Sequence, residues 1–305
     1  MKTYYDLSHL EMLNYTVCGL GNFDGVHLGH QKLINKLLCC SKKESIDSLI
    51  FTFNPHPSKI LYPNKSDSLI LTPKQKEKII QSYGIDHLVF APFTRQFSQI
   101  DYKSFIYDIL IKKCRAKIVV VGFNYTFGFK GEGNAKGLKE VCSKEGIKTV
   151  IIPPVTYKGE LPSSSYIRKL IQNGNVRKAS DFMGRPFTIE GIVVHGEGLG
   201  KKMGFPTANI SFEQDIILPA CGVYAVFVSW QGNLYKGIAN LGIKPTFGGN
   251  EIKLEVHLFD FDNNLYGHEL EIHFIDNLRS EVKFHTAEDL IRQVQKDFTR
   301  AKKIL

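Results

Sequence analysis

The sequence predicts two domains: an open α/β domain built on a parallel sheet, then a small antiparallel β-barrel with one carboxy-terminal helix. Three observations carry that expectation. The chain has 305 residues, which suits two domains of roughly 100–200 residues each. Up to Met183, short β-branched runs alternate with stretches of helical spacing, the pattern of a parallel sheet wrapped by helices. After Met183, candidate strands follow one another with turn signals between them and no crossover helices. The expected domains are residues 1–183 and 184–305.

In the first domain, Thr16–Leu20 reads as a strand and is followed by the turn Gly21-Asn22-Phe23-Asp24-Gly25. His30–Cys39 has helical spacing through Leu33, Leu37 and Leu38. Ser48–Phe53 is a strand. Pro73–Tyr83 is a helix opened by Thr72 as cap and Pro73 in its first turn. His87–Ala91 is a strand and Tyr102–Lys113 a helix. Lys117–Gly122 is a fully buried strand by its unbroken apolar run. Leu138–Glu145 is a helix and Lys148–Ile152 a strand. In the second domain the strands are Phe187–Val194, Val223–Trp230, Leu234–Asn240, Ile252–Phe259 and Glu269–Ile275. Gly232-Asn233 and Asp262-Asn263-Asn264 mark turns, and Ala287–Lys302 is the closing helix.

Composition narrows the class of protein. The AVILMFWYC set makes up 43% of the chain and aromatics 11%, ample material for two cores and unlike a disordered chain. The start carries no apolar secretion segment, and no apolar run approaches the about 20 residues that span a bilayer. A cytoplasmic protein without membrane partners is expected. Cys18, Cys39, Cys40, Cys114, Cys142 and Cys221 form no CxxC pair, which points to reduced thiols rather than disulfides or a zinc site. Residues 1–183 hold 26 basic and 15 acidic side chains, net +11, whereas residues 184–305 hold 13 and 15, net −2. A basic half suits an anionic partner, whether nucleic acid, membrane surface or polyphosphate, and equally suits a solvated surface. The positives are scattered and form no dense run.

The strongest local feature is Gly21-Asn22-Phe23-Asp24-Gly25-Val26-His27-Leu28-Gly29-His30, between the first strand and the first helix. Ligands of open α/β sheets bind at this edge, and amides at a helix start hold phosphate oxygens. Gly29 permits close backbone approach. Two histidines three apart can face the same phosphates and stabilise charge there. A two-histidine metal site lacks an evident third ligand. Phe53-Asn54-Pro55-His56-Pro57 follows the second strand, where His56 reads as an ordinary loop histidine or as a phosphate contact. Gly122-Phe123-Asn124-Tyr125-Thr126-Phe127-Gly128 follows the buried strand, as a turn or as part of a site. Ser163-Ser164-Ser165-Tyr166-Ile167-Arg168 opens a helix, where hydroxyls cap amides or bind phosphate.

The second half carries His195-Gly196-Glu197-Gly198-Leu199-Gly200-Lys201-Lys202-Met203-Gly204-Phe205-Pro206-Thr207-Ala208-Asn209. Successive glycines permit an anion-binding nest, or a merely flexible loop. It is no Walker loop, since GKS and GKT are absent. Thr207 and Asn209 share a face by strand alternation and could hold Mg²⁺ through the phosphates it bridges. In the strand from Ile252, the residues Ile252, Leu254, Val256 and Leu258 face one way as core. Lys253, Glu255, His257 and Phe259 face the other way.

His27-Leu28-Gly29-His30 resembles the HxGH signature of the α/β nucleotidyltransferases. With GNFDGVHLGH intact, it resembles the prokaryotic bifunctional riboflavin kinase/FMN adenylyltransferase family. The segment around His56 is similar to that family's FxPHP. The segment at Asn124 is similar to its GxDFxFG, with Asn where Asp is common. Ser163–Arg168 is similar to SSTxIR, with Ser165 replacing Thr. Pro206-Thr207-Ala208-Asn209 looks like the riboflavin kinase PTAN signature. Glu255-Val256-His257-Leu258 resembles the segment with the kinase carboxylate. Asn240–Phe247 and Leu278–Phe284 match segments near flavin and nucleotide.

The resemblance implies a Rossmann-like nucleotidyltransferase domain and a riboflavin-kinase-type barrel. The barrel would phosphorylate riboflavin with ATP, giving FMN. The first domain would transfer AMP from a second ATP to FMN, giving FAD and pyrophosphate. For that step it assigns His27, His30 and Arg168 to charge stabilisation. Gly21, Asn22, Phe23, Asp24, Gly29, Ser164 and Ser165 would bind nucleotide, and His56 and Asn124 the FMN phosphate. In the kinase, Glu255 would be the general base. Gly196, Gly198, Gly200, Lys201, Gly204, Pro206, Thr207 and Asn209 would bind nucleotide with Mg²⁺, and Asn240 and Arg279 flavin. The expected partners are these small molecules and no nucleic acid. Two rivals stand beside this: a nucleotidyltransferase for another acceptor, such as a phosphopantetheine or glycerol phosphate, and a flavin- or nucleic-acid-binding regulator without catalysis.

Overall fold

The computed structural model describes residues 1–8, 10, 13–65, 68–196, 200, 204–246 and 249–305. The chain divides into two compact units, Met1–Ser164 and Ser165–Leu305.

The first unit is built on β1 (Lys2–Tyr4), β2 (Thr16–Leu20), β3 (Asp47–Phe53), β4 (His87–Ala91), β5 (Ala116–Gly122) and β8 (Lys148–Ile152). All pair in parallel in the order β1-β4-β3-β2-β5-β8. β2 lies between β3 and β5, so the chain leaves it at the point where the strand order reverses. The short pair β6 (Thr126–Phe127) and β7 (Gly133–Asn134) follows β5.

β2 is buried along its whole length, as a strand covered on both faces must be. On one face, Gly19 makes room for α1 (Leu28–Glu44): a Cβ there would meet Leu37 and Leu33. On the other face Cys18 and Leu20 join Ile106, Leu110 and Leu138 in one cluster. These come from the helical stretch after β4 and from α5 (Ala135–Lys144). That stretch begins as α4 (Tyr102–Ser104) and continues as a π-helix over Phe105–Lys113, where a plain helix is expected. Two further helices are α2 (Pro57–Leu61) and α3 (Pro73–Ser82). Thr72 caps α3 in a full capping box with Gln75, and proline stands in its first turn as expected.

The second unit opens with α6 (Ser164–Gln172), whose first residue closes the first unit, and α7 (Val176–Met183). A closed barrel follows, ordered β10-β13-β12-β11-β14-β9. Its strands are β9 (Phe187–Val194), β10 (Ala208–Phe212), β11 (Gly222–Trp230), β12 (Asn233–Thr246), β13 (Gly249–Leu258) and β14 (Glu269–Ser280), with α8 (Ala287–Ile304) last. Neighbouring strands pair antiparallel throughout. Tyr224, Val226, Ala239, Leu241, Leu254 and Val256 fill the interior. Val223, Ala225, Ile238 and Phe259 lie on the outer face, where Phe298 and Ala301 of α8 cover them.

Packing divides the chain at 164/165, with α7 set on β14 and β9. Arg177 of α7 also pairs with Asp276 of β14 at 3.3 Å. One expectation needs correction, and it concerns the strand from Ile252. Leu254, Val256 and Leu258 are core as expected, but Ile252 is 41% exposed. β10 covers β13 only from Leu254 to Val256, so Ile252 pairs with Ile243 beyond the closed belt.

Candidate functional site

In the first unit the loops after β2, β3 and β5 all leave the carboxyl ends of parallel strands, where ligands of such sheets bind. The loop after β2 carries most of the expected nucleotide residues. Its backbone is tightly wound, with positive φ at Phe23, Gly25 and Val26. Side chains hold its carbonyls from below. Lys76 Nζ donates to the Asn22 carbonyl at 2.8 Å, and Thr52 Oγ1 donates to the same oxygen at 2.9 Å. Ser164 Oγ donates to the Asp24 carbonyl at 2.8 Å, and Gln31 Nε2 to the Val26 carbonyl at 2.9 Å. The buried Asp24 carboxylate accepts from the Ile70 and Leu71 amides. Asp24 and Ser164, both expected to bind nucleotide, thus also shape the loop.

His27 caps α1, its Nδ1 accepting the Gly29 N–H at 3.2 Å. That bond leaves the ring proton on Nε2 and makes Nε2 the donor. The His27 and His30 rings stack with centroids 3.8 Å apart, and Phe23 lies 5.2 Å from His30. Gly29 is required by the same arrangement: a Cβ there would stand 3.1 Å from the His27 ring. The HLGH spacing therefore builds one compact object, a helix N-terminus with two stacked imidazoles. Gly21 opens the loop, its amide on the Phe51 carbonyl at 3.3 Å.

His56 caps α2, with Nδ1 bonded to Ser58 Oγ at 2.7 Å and accepting the Ser58 amide. Asn124 stands in the turn that Tyr125 N closes on the Gly122 carbonyl at 3.1 Å. Ser165 and Arg168 lie on α6 in the second unit, with Arg168 buried.

In the second unit the register brings together several residues expected of the kinase step. Asn209 on β10 faces Glu255 on β13, and Glu255 faces Asn240 on β12. Asn240 faces Val223 on β11, and Val223 faces Arg279 on β14. Directly opposed residues of antiparallel strands point to the same side, so one transverse row carries Asn209, Glu255, Asn240 and Arg279 around the outer wall. The row lines a cavity of about 420 Å³, whose opposite side is α8 through Leu290, Val294 and Phe298. Its volume suits a small organic ligand. Thr207 and Gly200 line it as well.

Three described glycines of the loop stand where a larger residue is resisted by close neighbours or by backbone conformation. A Cβ on Gly196 would overlap the Asn209 carboxamide, and one on Gly200 would stand 2.5 Å from the Phe205 carbonyl. Gly204 has φ +84. Gly198 and Lys201 lie outside the described residues, as does Phe247. A Gly196→Ala protein is expected to lose ~10²-fold in the phosphorylation that the resemblance implies for this unit, through displacement of Asn209, with the adenylylation implied for the first unit unchanged; separate assays of the two steps check it.

Arg279, expected at the flavin, is engaged inside the protein. Its Nε donates to Asp297 Oδ2 at 2.9 Å, and Gln293 Nε2 donates to Asp297 Oδ1 at 2.9 Å. Asp297 is buried, and the pair ties α8 to β14. Asp297→Ala is expected to destabilise the protein by about 2 kcal/mol, the guanidinium being partly hydrated; the urea unfolding midpoint measures it.

Sequence reasoning missed several residues that matter here. His257 shares the Glu255 face, bonds through Nδ1 to the Pro206 carbonyl at 2.8 Å, and stacks on Phe298 at 4.8 Å. Its place two residues after Glu255 was the available signal. Glu281 brings a second carboxylate to the cavity, resting over Gly242. Asp297 and Lys76 gave no signal, since charged residues in amphipathic helices read as solvated.

Thr207, Asn209 and Glu255 offer hard oxygen donors, one of them a carboxylate, a set that fits Mg²⁺ shared with phosphates. Among the described residues no cluster of three His, Cys, Asp or Glu forms an all-protein metal site. Among the same residues no helix is long and apolar enough to cross a membrane.

The FAD synthetase family matches residues 10–166, and the riboflavin kinase family matches residues 183–305. A bifunctional riboflavin kinase/FMN adenylyltransferase of Buchnera aphidicola subsp. Schizaphis graminum is 38% identical, over 99% of this chain and 98% of its own. The enzyme of that name from Bacillus subtilis is 37% identical, over 92% of this chain and 90% of its own. A crystal structure described as the macrolide-efflux protein of Streptococcus pneumoniae superposes with a TM-score of 0.91 at 32% identity. It covers 99% of this chain and 98% of its own.

Proposed function

This chain belongs to the bifunctional riboflavin kinase/FMN adenylyltransferase family, and from that premise we propose which of its residues carry each step. The protein phosphorylates riboflavin to FMN and adenylylates FMN to FAD. ATP is the donor in both.

The observation that supports the kinase assignment most is the row Asn209–Glu255–Asn240 on the cavity wall. Glu255 accepts the proton of the riboflavin 5′-hydroxyl as its oxygen attacks the γ-phosphorus and ADP leaves. Thr207 and Asn209 hold the phosphate end. Mg²⁺ bound there would neutralise phosphate charge. Positioning and electrostatics supply most of the rate. Phe298 and its neighbours on α8 offer the apolar wall for the flavin, and the Arg279–Asp297 pair fixes that wall.

In the first unit an FMN phosphate oxygen attacks the α-phosphorus of ATP and pyrophosphate departs, so no protein nucleophile is needed. His27 Nε2–H, His30 and the start of α1 stabilise the charge that develops on the phosphates. Arg168 and Ser165 are assigned to the same step by the motif they complete. The basic excess of residues 1–183 is assigned to these polyphosphates rather than to nucleic acid. The unpaired cysteines suit the cytoplasm.

The test is a time course. Protein, riboflavin, ATP and Mg²⁺ are incubated and flavins separated by chromatography. FMN appearing first and FAD second is the expected result. FMN alone, even when FMN is supplied as substrate, would overturn the assignment of the HLGH unit.

A further inference from the structure

A buried lysine lies beneath the HLGH loop, bonded to one of its carbonyls. Lys76 is on α3 with only 4% of its surface exposed. Burial pulls its pKa down to about 8, against the pull of the nearby Asp24 carboxylate. An ammonium at such a place is out of water at a free-energy cost. An apolar side chain of the same length would fill the space without that cost.

The loop explains the charge. A loop that holds phosphate must present N–H groups to it, so its carbonyls must be satisfied elsewhere. Lys76 and Thr52 take the Asn22 carbonyl, Ser164 takes that of Asp24, and Gln31 that of Val26. Lys76 is the only cation of the four. The Asn22–Phe23 peptide is trans, so its N–H points away from Lys76. A positive charge on a carbonyl polarises its own peptide and strengthens that N–H as a donor.

We propose that Lys76, as its ammonium, is a positioning residue for adenylyl transfer: it locks the Asn22–Phe23 peptide with the amide turned toward the ATP phosphates, and touches no substrate. The inference rests on the assignment of adenylyl transfer to this loop. Of the charged groups, the Asp24 carboxylate acts on the Lys76 ammonium, and the same loop carries His27 and His30. Its own helix contributes Lys74, Glu77 and Lys78, with Glu77 taken up by Thr3 and Tyr5. β3 offers the uncharged Thr52, and β4 the ring of Phe90, 6.0 Å from Nζ.

The test uses the full chain, which carries its own control in the barrel. FMN adenylylation and riboflavin phosphorylation are measured from pH 6.5 to 9.5 for the wild type, Lys76→Met and Lys76→Arg. The wild type is expected to lose adenylyl transfer as pH rises through about 8, with no such limb in the kinase step. Lys76→Met is expected to lower kcat for adenylyl transfer ~10²-fold at pH 7, to lack the alkaline limb, to keep full kinase rate, and to melt no earlier than the wild type. A lysine with a purely structural role would lower the melting temperature and leave the pH profile in place. Lys76→Arg, which keeps its charge, is expected to retain activity above pH 9. Wild-type FAD formation by Lys76→Met, or an alkaline limb unchanged in Lys76→Arg, would overturn the proposal. Should Lys76→Met fail to fold, the wild-type profile decides: a flat adenylylation rate across pH 7 to 9.5 overturns it. A wild type that never adenylylates FMN would instead remove the assignment on which the proposal rests.

Discussion

Replacing Glu255 with Gln is expected to slow riboflavin phosphorylation ~10²–10⁴-fold, the usual worth of a general base, while FMN supplied from outside is still converted to FAD at the wild-type rate. The carboxamide keeps the size of the side chain, exchanges one accepting oxygen for a donating NH2, and removes the proton acceptor. Its surroundings keep the exchange local: Glu255 is held between Asn209 and Asn240 on neighbouring strands, two neutral partners that accommodate an amide as readily as a carboxylate. The cavity contains a rival, Glu281. That residue follows the last strand and rests over Gly242, outside the row shared with Asn209. Parallel measurement of Glu281→Gln therefore separates the two carboxylates. Unchanged turnover in Glu255→Gln with a collapse in Glu281→Gln would move the base to the residue after β14 and leave the cavity assignment intact.

Much of both sites was legible in the sequence because the chemistry is concentrated in short, contiguous segments. HLGH is one turn of helix, and the spacing that makes it recognisable is the spacing that stacks His27 on His30. The strand around Glu255 alternates cleanly, so its polar face could be read, and the register sets Asn209 and Asn240, both named from the sequence, on either side of it. What escaped depends on contacts far apart in sequence. Lys76 becomes buried only because the loop 54 positions earlier folds over it. Asp297 becomes a structural anion only because α8 returns to Arg279. The packing of α7 was hidden for the same reason: local pattern marks Met183 as the end of helical spacing, whereas β14, which also holds α7, comes much later in the chain. Ile252 alternates correctly and is still exposed, since alternation states which side a residue faces and not how far the neighbouring strand extends.

Replacing His30 with Ala is expected to reduce FAD formation ~10³-fold, at the upper end of what one preorganised charge-stabilising donor contributes, with riboflavin phosphorylation unchanged, so that FMN accumulates. The fold should tolerate the change, since alanine is the best helix former and position 30 lies in the first turn of α1. The loss has two separable sources. His30 contributes its own ring nitrogens, and its ring also holds the His27 ring flat across the helix start at 3.8 Å. His30→Phe distinguishes them, because it keeps an aromatic face against His27 and removes every hydrogen-bonding atom. Equal loss in His30→Phe and His30→Ala assigns the effect to charge stabilisation at the phosphates. Recovery in His30→Phe alone would make His30 a support for His27, with His27 Nε2–H as the group that meets the developing charge. Normal FAD output from a folded His30→Ala protein would remove the imidazole pair from the mechanism.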